Sequence, residues 1–409
     1  MHVAIIGAGV AGLSTAWYLN EQGIEVTVFD KQSIGSGASW GNAGQIVPNL
    51  VVPLADPTNF RVAITSLYRR SSPITAPKEL DRNLLSFLMQ FARNSTSSRF
   101  LSSTGDLVSL SSRALEEYKH LDSQNISTTL KYVPFTAAFS TAKSARHLLD
   151  ELAIVAQSGS RISLDLLDGS ELRMLEPLVS NALNFGIQLD NQALIDPPQF
   201  LENLSKDLIK KGVTIVIDTS ISKVERVSGK LQVFSNTRKP EIFDTVVIAT
   251  GAWLNNLTKE HGVKVPVVAG IGYSMSVEVP ENTRGMLFFP ETFIATTSYK
   301  ERLRISSFMK ISNVDKTGEH KTEMRLLRNA KRILPNLHWD SVGEFWSGGR
   351  PLTPDGKPLI GKTRTPGVYV NAGHGMWGIT LGPISGKILA NQITGNNDQE
   401  LIRRFNPLR

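Results

Sequence analysis

The sequence predicts an α/β protein made of two interleaved units. One is built on a parallel sheet, and the other on a mixed or antiparallel sheet. Three observations predict this. The N-terminus reads strand, glycine turn, helix, strand. The middle carries long strands without regular crossover helices. The segment 378–394 is a second glycine-punctuated helix. The chain's 409 residues correspond to two or three units at about 150 residues each. Apolar content of 41% and charged content of 20% exclude a disordered chain. The absence of cysteine excludes disulfides, thiolate metal sites, cysteine nucleophiles, iron–sulfur ligation and a cysteinyl-linked flavin. A net charge of +7 and a pI near 9.4 permit attraction to anionic lipid or nucleic acid without assigning either.

The first strand is Val3-Ala4-Ile5-Ile6, a short buried-type run. The turn Gly7-Ala8-Gly9-Val10-Ala11-Gly12 follows, then a helical pattern from Leu13 that Gly23 stops. The second strand, Val26 to Phe29, ends at Asp30, 18 positions after Gly12. Each residue type has a physical reason. Gly7 permits the tight turn, Gly9 lets a pyrophosphate approach the backbone, and Gly12 lets the helix pack close to the sheet. Phosphates meet unpaired N–H groups at the helix N-terminus. Asp30 suits a ribose 2′-hydroxyl and repels a 2′-phosphate. This Rossmann-like pattern predicts an ADP-containing cofactor and leaves FAD and NAD both open.

Residues 94–114 are serine-rich and read as a loop entering a helix at Leu107. Strands are expected at 131–139, 183–190, 213–217, 231–235, 245–249, 271–279 and 302–308, with helices at 199–211 and 320–333. Asp196-Pro197 reads as a helix start with Asp as cap and Pro at its first position. Asp355-Gly356 reads as a turn. The nucleotide domain is expected at 1–50, 196–262 and 346–409, and the substrate domain at 51–195 and 263–345. The ligand belongs where the two sheets face each other.

Three separated stretches carry a resemblance. They are Ser39-Trp40-Gly41-Asn42-Ala43-Gly44-Gln45-Ile46-Val47-Pro48, Trp346-Ser347-Gly348-Gly349-Arg350-Pro351, and Gly373-His374-Gly375-Met376-Trp377-Gly378-Ile379-Thr380. With the N-terminal turn, the chain resembles the D-amino-acid oxidase superfamily of FAD enzymes, and most of all its bacterial D-amino-acid dehydrogenases. The resemblance runs end to end, with the middle third matching only in pattern.

The resemblance implies FAD rather than NAD. Gly7, Gly9, Val10, Ala11 and Gly12 match the pyrophosphate turn, Asp30 the ribose ligand and Lys31 the adenosine edge. Ser39 and Asn42, Ala43, Gly44, Gln45 and Ile46 match the loop along the flavin. Ile221 matches an adenine contact, and Thr250 and Gly251 the strand end near the ADP portion. Gly375, Met376, Trp377, Gly378, Ile379 and Thr380 match the turn and helix start at the flavin pyrimidine edge, where free N–H groups of 377–380 would stabilise negative charge. Arg350 matches the arginine that holds the substrate carboxylate. A planar guanidinium suits that task through two parallel hydrogen bonds. Substrate contacts are expected from Arg350, Gln45, Trp377 and Phe288. Phe288 or Phe289 stands where related oxidases place a tyrosine, and Tyr273 and Tyr299 are further candidates. No histidine lies in Gly35-Ser36-Gly37-Ala38-Ser39, so the flavin is expected to be non-covalent. No metal is needed. His374, between two glycines, is expected to shape its turn rather than act as a base.

The implied reaction is oxidative deamination of a D-amino acid. A hydride leaves Cα, and water hydrolyses the imine to a 2-oxo acid. Electrons pass to a quinone or another carrier. The alternatives are an oxidase of glycine, sarcosine or D-proline using oxygen and, more remotely, a flavoenzyme acting on modified tRNA. The tRNA reading needs a basic groove with stacking aromatics, and the charges are scattered, so nucleic acid is not an expected partner. Arg61, Arg69, Arg70, Lys78, Arg82, Arg93 and Arg99 face only Glu79 and Asp81 across 59–100, interleaved with leucine and phenylalanine. That stretch fits either a membrane-surface element or the solvated face of two helices. No signal peptide is expected, since the first strand begins at residue 2, and no run of 18 apolar residues occurs. A cytoplasmic protein, with peripheral contact at the inner face of the membrane as its variant, is expected.

Overall fold

The computed structural model describes residues 1–409 apart from 59–80, 127–128, 280–284, 300, 313–318, 344 and 397. Its first sheet has the order β19-β20-β13-β1-β2-β9. These strands are β1 (His2–Ile6), β2 (Glu25–Phe29), β9 (Thr214–Val216), β13 (Thr245–Ile248), β19 (Leu359–Lys362) and β20 (Val368–Ala372). All its pairings are parallel except β19 with β20. Buried on both faces, its strands read as continuous apolar runs.

One face is covered by helices α1 (Val10–Glu21), α3 (Ser97–Ser111), α4 (Ala114–Ser123), α7 (Pro197–Lys210) and α9 (Gly378–Thr394). The other face is covered by the antiparallel meander β10 (Ile221–Val227), β11 (Lys230–Ser235) and β12 (Glu241–Phe243).

The second large sheet runs β18-β14-β17-β16-β15-β5-β7-β6. It comprises β5 (Phe135–Phe139), β6 (Leu164–Asp168), β7 (Phe185–Leu189), β14 (Val268–Glu278), β15 (Met286–Phe289), β16 (Ile294–Tyr299), β17 (Arg302–Ser312) and β18 (Trp346–Leu352). Only β5 with β15 is parallel, so the expected mixed sheet is observed. Alternation divides its residues between two faces. Tyr273, Phe289, Leu303 and Ile305 pack under helices α6 (Gly169–Leu175) and α8 (His320–Ile333). Phe135, Met286 and Phe288 face the other way, toward Val47 and helix α5 (Arg146–Gln157). Helix α2 (Arg82–Asn94) lies against Val268, Met309 and Leu352. A small sheet joins β3 (Gln45–Ile46), β8 (Ala193–Leu194) and β4 (Lys131–Tyr132). Helix α10 (Gln399–Arg404) follows α9 near the C-terminus.

Several expectations change. The serine-rich stretch is helix α3. Thr96 accepts the Arg99 N–H at 3.4 Å, Thr104 bonds back to the Phe100 carbonyl at 2.8 Å, and Phe100, Leu107 and Leu110 are buried at helical spacing. Such local side-chain bonds are why serine and threonine signal loops in a sequence. The strand expected at 131–139 is two strands separated at Val133-Pro134, because proline has no N–H for the ladder. Asp196 does precede Pro197 at the start of α7, yet its side chain makes no cap hydrogen bond. Trp346–Leu352, expected with the nucleotide unit, is an edge strand of the eight-stranded sheet. Helices α3 and α4, expected in the substrate unit, contribute Leu107, Leu110, Tyr118 and Leu121 to the core of the six-stranded sheet.

Of the basic segment, Arg61, Arg69, Arg70, Lys78 and Glu79 lie outside the described residues. Arg82, Arg93 and Arg99 are exposed, as are Leu85 and Met89 on α2 and Leu101 on α3. Among the described residues no helix is long and apolar enough to cross a membrane, and no group of His, Asp and Glu gathers to hold a metal ion.

Candidate active site

One long cavity of about 320 Å³ runs from the C-terminal ends of β1 and β2 to the edge strand β18. This is where ligands bind in open α/β sheets, and the second sheet supplies the far end. The near end is lined by Asp30, Lys31, Ile221, Thr250, Gly251 and Trp253. The middle is lined by Gly7, Gly9, Val10, Ala11, Ser39 and Asn42. At the far end stand Gly349, Arg350, Pro351, His374, Gly375, Gly378 and Ile379.

The glycine turn is built for close approach. Gly7 has φ +115°, and a Cβ there would lie 2.4 Å from the Ala249 carbonyl oxygen. Gly12 stands behind the cavity wall, and its Cβ would lie 1.9 Å from Gly7 O, so it permits the helix–turn contact. Asp30 does more than expected of a ribose ligand. Its carboxylate accepts the Ala8 N–H at 2.7 Å and the Gln32 N–H at 2.9 Å, which ties the turn to the end of β2. Burial raises its pKa against the pull of these bonds. Ser39 Oγ accepts the Val10 N–H at 3.1 Å at the start of α1. Lys31 lies 3.5 Å over the Trp253 ring, closing the near end with a cation on an aromatic face.

The lining retains polar atoms that lack protein partners. Thr250 Oγ1 and Asn371 Oδ1 are buried on the cavity wall without a hydrogen bond, while Asn371 Nδ2 reaches Thr15 Oγ1 at 3.0 Å. Buried orphans of this kind are expensive unless a ligand meets them. With the bare glycine turn and the α1 N-terminus, they fit a dinucleotide lying along the cavity.

The loop 42–47 lies beyond the cavity wall from Ala43 onward. The Gln45 amide donates to Thr296 O at 3.1 Å, Thr380 Oγ1 donates to Gln45 O at 3.2 Å, and Val47 N donates to Thr380 Oγ1 at 3.4 Å. Ile46 is fully buried in the core beside α1 and α9. Gly44 has φ +72°, and a Cβ there would meet the Tyr299 hydroxyl and Ile195 O. Ser274 Oγ donates to Gly41 O at 3.1 Å, and Arg304 donates to Ser274 Oγ at 3.4 Å. This loop therefore bridges α9 and the eight-stranded sheet.

Arg350 stands opposite Gly270 in the β14–β18 register, and its guanidinium lies over Gly272, where a Cβ would be 2.7 Å from Cζ. Its Nη2 is 3.5 Å from Ser307 O. Among the described residues no carboxylate comes within 4.0 Å of it. Desolvation lowers its pKa to about 10, so it stays cationic at neutral pH but poorly solvated. His374 is buried, and desolvation lowers its pKa to about 4. Ser385 Oγ donates to Gly382 O at 2.9 Å and lies 3.0 Å from His374 Nε2, which assigns the proton to Nε2 of a neutral ring. Trp377 N–H donates to His374 O at 3.0 Å, so of the expected free N–H groups at 377–380 this one is engaged.

Trp377 and Met376 lie off the main cavity, and the indole of Trp377 donates to Val52 O at 2.8 Å. Phe288 is half-buried on the Arg350 face of the sheet, 6.2 Å from the Phe135 ring. Phe289 and Tyr273 face away into the opposite core. The sequence motifs give no site role to Asn371, Trp253, Ser274 or Arg304. Trp253 lies two residues beyond Gly251, and only the fold places it against Lys31.

The family model for FAD-dependent oxidoreductases, DAO, matches residues 2–392. The chain belongs to this family. It is an FAD-dependent oxidoreductase with a Rossmann-like FAD-binding unit. A D-amino acid dehydrogenase of Vibrio vulnificus (strain YJ016) is 28% identical over 407 residues, covering 98% of this chain and 97% of that protein. A second D-amino acid dehydrogenase, from Granulibacter bethesdensis, is 28% identical over 97% of this chain and 96% of its own length. Among solved structures, glycine oxidase from Bacillus cereus matches with TM-score 0.73 and 20% identity over 98% of this chain and 97% of its own. L-proline dehydrogenase from P. horikoshii matches with TM-score 0.75 and 18% identity over 100% of this chain and 97% of its own. At these identities the two structures share the fold.

Proposed function

We propose that this chain oxidatively deaminates D-amino acids and passes the electrons to a quinone or another carrier. The substrate gives up two electrons and two protons, water adds to the resulting imine carbon, and ammonia leaves a 2-oxo acid. When bound, FAD supplies the two-electron oxidant.

The single observation that carries the reading is Arg350. It is a cation on a glycine floor at the far end of the dinucleotide cavity, with no protein carboxylate within 4.0 Å among the described residues. A substrate carboxylate would take two parallel charge-assisted hydrogen bonds from it and relieve its desolvation. That contact fixes the α-carbon, and orientation is where much of the rate arises. Neutral His374 adds no competing charge there. The N-terminus of α9 directs its positive end at the same region, which favours negative charge developing there. The names of the relatives at 28% identity support a D-amino acid as substrate.

The test is anaerobic bleaching of the yellow holoprotein by D- and L-amino acids, glycine, sarcosine and D-proline. The reading expects bleaching by D-isomers and only slow recovery in air. Bleaching by glycine or sarcosine with rapid peroxide formation replaces it by an oxidase. A yellow protein that no amino acid bleaches overturns it.

The exposed stripe Arg82, Leu85, Met89 and Arg93 on α2, beside Arg99 and Leu101, supports peripheral contact with anionic lipid as the place where the carrier is met. The buried side of the same helix covers Leu352, two residues from Arg350.

A further inference from the structure

Gly272 of β14 and Gly348 of β18 are direct partners across the antiparallel ladder. Each is bare because a large side chain lies flat over it. A Cβ on Gly272 would be 2.7 Å from Arg350 Cζ. A Cβ on Gly348 would be 2.2 Å from Trp346 Cη2 and 2.4 Å from Cζ2. Arg350 and Trp346 point to the same face, being four residues apart on one strand. Partners across a ladder have Cβ positions about 5 Å apart. The guanidinium and the indole therefore lie side by side on one two-glycine floor. The other side of the same six-membered ring backs onto the loop, where a Cβ on Gly41 would be 2.1 Å from Cδ2 and Cε3.

We infer that Trp346 is a specificity-determining residue, the wall that limits the group attached to the substrate's α-carbon. This rests on the reading of Arg350 as the carboxylate site. A carboxylate held by Arg350 leaves its α-carbon within one strand spacing of the indole. The side chain must then lie along the ring or avoid it. The ring is apolar and is clamped between Gly348 and the Gly41 loop, so it cannot swing away. The substrate class selected is amino acids with small or slender apolar side chains. Branched and aromatic side chains are excluded by volume and charged ones by desolvation.

The test uses the FAD holoprotein, wild type and Trp346→Ala, with Trp346→Phe as the conservative variant. The first readout is the ratio of kcat/KM for D-phenylalanine to that for D-alanine, a quantity that general loss of folded enzyme does not change. It should rise tenfold or more in Trp346→Ala and by less in Trp346→Phe. The second readout needs no turnover. Acetate, butyrate, hexanoate and benzoate are titrated against the bound-flavin absorbance. Affinity should fall with bulk in the wild type, and that trend should flatten or reverse in Trp346→Ala. If Trp346→Ala does not retain FAD, Trp346→Phe decides by the same readouts. Carboxylates that bind all proteins with one unchanged size profile overturn the assignment of Trp346 and leave Arg350 standing. Carboxylates that fail to perturb the wild-type flavin at all overturn the Arg350 reading and the inference with it.

Discussion

The Tyr299 hydroxyl donates a hydrogen bond to the Ala43 carbonyl oxygen, joining β16 to the loop between Ser39 and Val47. Tyr299 is enclosed, and burial pushes its phenol pKa well up, so it remains a donor at every working pH. Removing this hydroxyl leaves a partly buried carbonyl without this partner. Tyr299→Phe should lose about 1–3 kcal/mol of global stability. Because Ser39 and Asn42 at the start of this loop line the cavity, the variant should also show a shifted flavin absorbance maximum or weaker FAD retention. Trp339→Phe, which breaks only the indole bond to Leu334 O on the far side of the sheet, is the control. Equal flavin spectra in both variants would remove Tyr299 from the positioning of this loop.

The glycine turn makes the sharpest prediction for cofactor binding. Alanine at Gly7 faces both a left-handed φ and a clash with Ala249 O, and alanine at Gly12 meets Gly7 O. Gly7→Ala and Gly12→Ala should each be isolated essentially colourless, with FAD affinity down at least a hundredfold by fluorescence titration. In the wild type, acid denaturation should release all the flavin into the supernatant, as a non-covalent cofactor requires. Yellow colour that remains with the precipitated chain contradicts that reading.

His374 gives a pH dependence with a definite sign. Its folded pKa is about 4, below the ordinary value near 6.5 of the unfolded chain. Between those values the unfolded chain binds the extra proton, so stability falls as pH drops from about 6.5 to about 4 and this contribution levels off below. The full loss is about 3 kcal/mol at most. Urea unfolding at pH 7 and pH 5 should show a smaller difference for His374→Gln than for wild type. Identical differences would mean that the buried ring is not the titrating group.

Much of this site was legible in the sequence, for a physical reason. The glycine turn, Asp30 and the helix start at 378 are local patterns, in which backbone geometry demands particular residues at fixed spacings. Gly7, Gly9, Asp30 and Gly378 accordingly meet at one cavity. What was not legible depends on register. Sequence alone could not place Phe288 on the Arg350 face and Phe289 behind it, since a shift of one residue exchanges them. Nor could it reveal that Gly272 and Gly348 are partners, or that Trp346–Leu352 leaves the nucleotide sheet for the edge of the other. Helix α3 was obscured because its hydroxyls bond back to their own helix.

The stripe on α2 yields a binding prediction. Sedimentation with vesicles containing phosphatidylglycerol should carry down the protein, and vesicles of phosphatidylcholine alone should not. The double variant Leu85→Ser, Met89→Ser should reduce the bound fraction at least fivefold while leaving flavin reduction by substrate unchanged. Equal binding to both vesicle types, or none to either, contradicts lipid contact at this face.

The most direct measurement of the central claim is the rate of anaerobic flavin reduction by D-alanine in wild type and Arg350→Met. The methionine keeps the apolar stem over Gly272 and removes the charge. Loss of a buried charge-assisted clamp corresponds to about 2–5 kcal/mol, so the rate at subsaturating substrate should fall at least thirtyfold with FAD still bound and L-alanine inert throughout. A methionine variant reduced by D-alanine as fast as the wild type would contradict the account.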